Sequence, residues 1–271
     1  MSNLQLRVVS GIILAVVVLA LTWIGGLPFR VLAAVIGALV FHEWSTISGL
    51  RRDKVLFVAA WILVALTLLA LVFGLSGEPM LIVAAVPILA MLVAGQVRAP
   101  GRLAAAGMAY SLFPAIALAF LRGSDHAGLL AILYLFAVVW STDIFAYFVG
   151  RAVGGPKLAP SISPGKTRSG AVGGALAAVV AGFAVAWAGG HPAPAMMALL
   201  AIPLSALSQA GDLFESAFKR RFGVKDSGTV IPGHGGVMDR VDGLVAAAVA
   251  LYLAGILFGG ADNPSAGLFP L

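Results

Sequence analysis

The sequence predicts an all-α polytopic membrane protein of about nine transmembrane helices, and three observations carry that reading. Hydrophobic residues make up 61% of the 271 positions and charged residues only 10%, whereas soluble domains are about half apolar and about a quarter charged. The apolar residues fall in long runs, without the period-2 alternation that a membrane β-barrel requires. When nine spans are drawn, 15 of the 17 Lys and Arg residues fall in alternate loops.

The first run, 8–24, has an apolar core longer than the ~7–15 residues of a signal peptide, and no small-residue cleavage site follows it. Further runs lie at 28–47, 55–75, 80–97, 103–121, 128–149, 171–188, 193–211 and 244–258. Each is long enough, or nearly so, to cross ~30 Å of hydrocarbon at ~1.5 Å per residue. The last is the shortest. Pro87, Pro114 and Pro203 interrupt runs, which helices packed among neighbours tolerate. Gly-xxx-Gly spacings at Gly150/Gly154, Gly170/Gly174 and Gly255/Gly259 fit close helix packing without naming a partner. Residues 1–271 thus read as a single integral membrane domain.

Orientation follows from the basic residues. With the N-terminus inside, the inner loops hold Arg7; Arg51, Arg52 and Lys54; Arg98 and Arg102; Arg151, Lys157, Lys166 and Arg168; and Lys219, Arg220, Arg221, Lys225 and Arg240. Only Arg30 and Arg122 fall outside. The positive-inside rule then predicts a cytoplasmic N-terminus and an outer C-terminus. The same rule explains the net charge of +6 without nucleic acid as a partner. The chain has no Cys, which excludes disulfides, thiolate metal sites and a thiol nucleophile.

Two inner loops, near 150–170 and 212–242, are long and rich in Gly, Pro and charge, so the chemistry is expected there. If the eighth helix continues into the second loop, Asp212, Glu215, Ser216 and Lys219 share one face. Asp239 and Asp242 form another i, i+3 pair before the last span. Facing acidic pairs suit a hard divalent cation, and Mg²⁺ takes one or two carboxylates plus water and substrate phosphate. Asp143, inside the sixth run and six residues from its end, is an ionisable group in the membrane and a functional candidate on that ground, with pairing to Arg151 as the structural alternative. Gly165, Lys166 and Thr167 are not a Walker A loop, because Pro160 stands where its first Gly belongs and no strand precedes it. Ser163, Lys166 and Thr167 still suit a triphosphate. His42 and Glu43 beside Trp44 read as an interfacial anchor, and His126 and His191 as outer-loop residues without a role.

Ser216, Lys219, Arg220, Lys225, Asp226, His234, Gly235, Gly236, Asp239, Arg240 and Asp242 form the pattern SxxKRxxxxKD…HGGxxDRxD. That pattern resembles the motif of the phosphatidate cytidylyltransferases. The stretch from Trp140 to Gly174, with Asp143 in a helix, a GR turn and SPGKT, is similar to a second element of that family.

The resemblance implies transfer of a cytidylyl group from CTP to phosphatidate, giving CDP-diacylglycerol and pyrophosphate for phospholipid synthesis, in a bilayer. It implies Mg²⁺ on Asp212, Asp239 and Asp242, with a second metal ion and a homodimer left open. Lys219, Arg220, Lys225 and Arg240 would neutralise phosphates, and His234 would orient one. Asp143, Ser163, Lys166, Thr167, Ser216 and Asp226 complete the expected substrate site. The implied location is the bacterial inner membrane, with the site on its cytoplasmic face. A CTP-dependent polyprenol or dolichol kinase is the nearest rival. CDP-alcohol phosphotransferases fit less well, since Asp242-Gly243 is not followed by their Ala-Arg. A secondary transporter would place its ionisable groups near the midplane between inverted repeats, and neither feature is present.

Overall fold

The computed structural model describes residues 3–270 other than His234, with Asn3 to Arg7 as backbone alone. The expectations for the side chains of Arg7 and His234 therefore lie outside the described residues. The chain is built from α1 (Asn3–Ile24), α2 (Gly26–Ile47), α3 (Lys54–Val72), α4 (Gly77–Val97), α5 (Pro100–Arg122), α6 (His126–Val153), α7 (Arg168–Ala188), α8 (Pro194–Arg221), α9 (Met238–Gly259) and α10 (Pro264–Leu268). Strands β1 (Lys157–Ala159) and β2 (Ser163–Thr167) form a hairpin between α6 and α7. Among the described residues, eight of these helices are long and apolar enough to cross a membrane, and α1 carries a shorter apolar stretch, Val8–Ile24. Pro87, Pro114 and Pro203 all lie within helices.

α5 and α6 are the most enclosed helices, and their buried faces supply much of the core, with Met108, Leu112, Ile116, Ile132, Tyr134 and Leu135 fully buried. Small residues bring neighbouring backbones together. A Cβ added at Gly174 on α7 would lie 2.6 Å from the Thr142 carbonyl oxygen on α6, and one at Gly211 on α8 would lie 2.6 Å from that of Asp242 on α9. These glycines bring α7 against α6, which carries Asp143, and α8 against α9, which carry Asp212 and Asp242.

Side-chain contacts define two ends of the bundle. At one end Glu43 on α2 reaches Ser227, Lys166 on β2 reaches Asp212 on α8, and Arg98 after α4 reaches Asp53 before α3 at 3.3 Å. At the other, the buried Arg122 guanidinium donates to the carbonyls of Thr22, Trp23 and Asp125, tying the end of α1 to α5 and the start of α6. Both long loops expected to carry chemistry are at the first end.

Several boundaries depart from the hydropathy reading. α8 runs ten residues beyond 211 and α9 begins at Met238, six before 244, so the second loop contracts to 222–237. Polar ends of helices lack the apolar signal yet keep the helical hydrogen-bond ladder. The first loop holds the β1–β2 hairpin, with Lys157 paired to Thr167 and Ala159 to Ser163, so a strand does precede the Gly-Lys-Thr triplet and the triplet itself lies in β2. α10 was not expected. His191, expected to have no role, is buried; its Nε2 lies 2.9 Å from the Leu268 carbonyl oxygen of α10. Trp44 is no headgroup anchor, being 2% exposed, stacked on Phe218 at 3.8 Å and donating to the Leu103 carbonyl at 2.9 Å.

Candidate active site

Two polar clusters occupy the loop-bearing end. The first surrounds a cavity of about 140 Å³ lined by Asp143 (α6), Lys166 and Thr167 (β2), and Gln209 and Asp212 (α8). Lys166 forms an ion pair with Asp212, and the Ser216 hydroxyl lies 3.4 Å from the other oxygen of that carboxylate. Asp242 is within electrostatic range of Asp212, Asp143 and Lys166. Thr167 caps α7 by accepting from Gly170 N at 3.1 Å, which holds β2 against the helix. Beneath the cavity, Thr142 donates to Ser205 at 2.8 Å, and Gln209 donates to Ser205 and to the Ala171 carbonyl at 3.3 Å each. Polar side chains thus hold together α6, α7 and α8, from which Asp143 and Asp212 project, while Asp242 comes from α9.

A larger recess of about 630 Å³ adjoins the first, sharing Ala146, Lys166 and Thr167. Tyr147, Arg151, Lys157 and Ser163 line it. Arg151 donates to the Tyr147 hydroxyl at 3.1 Å. Its hydrogen-bonding partner is therefore Tyr147, while Asp143 faces the smaller cavity with Lys166. Asp143 also lies deeper than the six residues expected, ten from the end of α6 at Val153.

The second cluster centres on Lys219. Its ammonium lies 2.7 Å from Glu215, one turn back, and donates to Asp239 on α9 at 2.6 Å. The other Asp239 oxygen accepts from the backbone N–H of Ser227 at 2.9 Å and of Gly236 at 3.0 Å. Next to it, Glu43 accepts from the Ser227 hydroxyl and from the N–H groups of Val237 and Met238, each at 2.8 Å. An acceptor carboxylate from α2 therefore serves the start of α9, where unpaired donors and the positive end of the helix dipole favour a negative charge. Glu43, 1% exposed, organises the loop; the sequence signal for it was an acid near the end of an apolar run. Gln209 had a comparable signal, lying one turn after Ser205 in an apolar segment.

The expected site residues thus separate. Asp143, Lys166, Thr167, Asp212, Ser216 and Asp242 gather at or beside the smaller cavity, and Ser163 lines the larger one. Lys219 and Asp239 belong to the second cluster. Arg220, Lys225 and Asp226 are exposed and lie beside neither cavity. Arg240 lines a different, apolar groove.

The carboxylates were tested as holders of the expected cation. Among the described residues no three His, Cys, Asp or Glu side chains stand close enough to enclose a metal ion. Mg²⁺ does not need an all-protein cage, since one or two carboxylates suffice when water and phosphate complete its shell. Asp212 and Asp242, with Asp143 nearby and an ammonium already drawn to Asp212, are a hard-oxygen set that fits it. Asp239 joins that set only by exchanging Lys219 for the ion.

A helical bundle with a cavity at one end lined by carboxylates and by the lysine of a β-hairpin has the build of a membrane-embedded transferase acting on a polyanionic substrate. Comparison with known proteins gives the family. The profile described as the cytidylyltransferase family matches residues 5–258. A phosphatidate cytidylyltransferase of Brucella suis biovar 1 (strain 1330) is 49% identical over 271 residues, covering 99% of each chain. One from Bacillus subtilis (strain 168) is 33% identical over 274 residues, covering 95% of this chain and all of its own. One from Haemophilus influenzae matches 45% of this chain at 46% identity. The chain belongs to the cytidylyltransferase family.

Proposed function

We propose that this protein transfers the cytidylyl group of CTP to phosphatidate, releasing pyrophosphate and leaving CDP-diacylglycerol in the bilayer. The observation that carries the proposal is the meeting of Lys166 and Asp212 in a cavity that adjoins a recess lined by Arg151, Lys157 and Ser163. The recess has the cations and hydroxyls a triphosphate requires, and the adjoining carboxylates suit its metal. Relatives of similar length carry the name phosphatidate cytidylyltransferase.

In the proposed reaction a phosphate oxygen of phosphatidate forms a bond to the α-phosphorus of CTP as the bond to the pyrophosphate oxygen breaks. A phosphomonoester, with its second pKa near ~6, is largely dianionic at neutral pH and needs no dedicated base. What the protein must supply is alignment and relief of charge repulsion. Lys166, Thr167 and Ser163 bind the triphosphate, and Asp143 orients that assembly. Mg²⁺ on Asp212 and Asp242 would neutralise charge developing on the phosphates. Lys219 and Asp239 fix the loop before α9, and Arg240 meets the lipid phosphate. Arg220 and Lys225 contribute positive potential at the entrance.

The distribution of basic residues supports a cytoplasmic site with the C-terminus outside, in a bacterial inner membrane. A reporter fused after Leu271 that proves cytoplasmic sinks this orientation. The activity is tested by reconstituting the purified protein with phosphatidate, Mg²⁺ and radiolabelled CTP. A chloroform-soluble cytidine product is expected, and its absence with active lipid substrate overturns the proposal.

A further inference from the structure

A cavity of about 230 Å³ opens at the end of the bundle opposite the candidate active site and shares no lining residue with either cavity there. Its walls come from α2, the α3–α4 turn, the end of α5 with the turn after it, and the loop after α9. Hydrogen bonds fasten these walls to one another. Gly26 N at the start of α2 donates to the Gly123 carbonyl at 2.9 Å, and Gly77 N at the start of α4 donates to the Asp262 carboxylate at 2.6 Å. The Tyr252 hydroxyl steadies the loop that carries Asp262 by donating to the Ala261 carbonyl at 3.2 Å.

Arg30 and Asp262 both line this cavity, yet they form no ion pair with each other. Arg30 has no hydrogen-bonding partner among the described residues. Arg122, the other basic residue at this end, is engaged by three backbone carbonyls, so Arg30 is the cation the packing leaves over. It stands four residues into α2, ~6 Å along the helix from its start. A cation placed there runs against the positive-inside pattern and calls for an anion. Gly74, at φ +81°, makes room for the guanidinium: a Cβ there would lie 2.5 Å from one of its nitrogens. Asp262 accepts from Gly77 with one oxygen, and the other has no donor among the described residues. Ser76 and Ser124 add hydroxyls at the exposed rim, and Leu71, Leu75, Ala119 and Phe120 make the rest of the lining largely apolar.

We infer that this cavity binds the headgroup of a zwitterionic aminophospholipid from the leaflet opposite the candidate active site, with its phosphate on Arg30 and its ammonium on Asp262. Opposite charges held apart in one cavity match a headgroup whose phosphate and ammonium are separated by a short alkyl link. A primary ammonium can donate to the Asp262 carboxylate, whereas a trimethylammonium has no proton to give. A purely anionic lipid meets repulsion, because Glu78, Asp125 and Asp262 outnumber Arg30 and Arg122 at this end. The apolar part of the lining, with Phe73 and Leu27 exposed on the turns beside it, suits a ligand that lies in the membrane interface rather than a dissolved solute. The site uses none of the candidate active-site residues, so it stands apart from the reaction proposed above.

The test is native mass spectrometry of the full chain in detergent, titrated separately with phosphatidylethanolamine, phosphatidylglycerol and phosphatidylcholine. Phosphatidylethanolamine is expected to bind about tenfold tighter than either other lipid, the worth of one charge-assisted hydrogen bond. Asp262→Asn keeps an acceptor for Gly77 N and should abolish that preference. Arg30→Gln should weaken phosphatidylethanolamine and phosphatidylglycerol alike, by about tenfold. Ser124→Leu narrows the cavity from its exposed rim without altering a charge, and should weaken phosphatidylethanolamine even if a charge variant fails to fold. Equal binding of the three lipids by the wild-type protein overturns the inference, as does undiminished phosphatidylethanolamine binding in Arg30→Gln and Ser124→Leu. Soluble O-phosphoethanolamine should not displace the lipid at equal concentration; if it does, the ligand is a free zwitterion and the lipid assignment fails.

Discussion

Glu43 and Ser227, 184 residues apart in sequence, meet through a 2.8 Å hydrogen bond that joins α2 to the loop before α9. The same carboxylate accepts two backbone donors at the start of α9. Glu43→Ala leaves those buried donors without an acceptor, at about 2 kcal/mol or more. The expected result is a lower Tm in detergent and loss of turnover together. Glu43→Gln should recover part of both, since it retains one acceptor oxygen. An unchanged Tm in the alanine variant would show that water replaces the carboxylate.

Lys219 is the shared cation of two acids. Its side chain is 14% exposed, and those of Glu215 and Asp239 are 1% and 10% exposed. Removing one member of such a buried set costs about 3–5 kcal/mol, because a charge is left uncompensated. Lys219→Met should therefore destabilise strongly. Combining it with Glu215→Met should restore much of the Tm but little activity, since Asp239 would still lack its anchor. If the double variant is no more stable than the single one, the coupling is absent, as a double-mutant cycle would reveal.

Asp143 is the clearest separation of function from fold. Its expected structural partner, Arg151, bonds instead to Tyr147, so Asp143→Asn should fold normally. A loss of about 10–100-fold in kcat/KM for CTP is expected, as for residues that orient a metal–phosphate assembly. Full activity per folded molecule, accompanied by a lower Tm, would make Asp143 a structural residue.

The three acids first assigned to the metal should not behave alike. Asp212→Asn and Asp242→Asn should each cost about 100-fold or more in turnover, with partial recovery at raised Mg²⁺ and little change in Tm. Asp239→Asn should lower Tm by freeing Lys219, Ser227 and Gly236, with no recovery from added Mg²⁺. A common response of all three to Mg²⁺ would put Asp239 at the metal and Lys219 in its place only in the absence of the ion.

The spans were legible because each must be apolar over most of its length to lie in hydrocarbon, and the loops because basic residues mark one side. Asp143, Lys166 and Asp212 could be named because charge in or beside an apolar run needs a reason. Their grouping was not legible. Hydropathy does not say which helices touch, so the closure of Glu43 onto Met238 and of Asp239 onto Lys219 left no local trace. Periodicity also stops at the membrane surface, which left the continuation of α8 through Lys219 a conditional reading and hid the first turns of α9 and the β1–β2 hairpin. The Gly-xxx-Gly spacings announced close approach, but their partners, α6 for Gly170 and Gly174 and α10 for Gly255 and Gly259, emerged only from the packing.

The buried guanidinium of Arg122 bears on how the protein is made. Its hydrogen bond to Thr22 spans 100 residues, so α1 enters the bilayer long before the side chain that fastens it has been synthesised. At ~5–20 residues per second the ribosome needs about 5–20 s to cover that distance. During that interval α1 must persist as an independent helix in lipid, which its almost unbroken apolar surface permits. The first helix is thus laid down early and locked only after the fifth arrives.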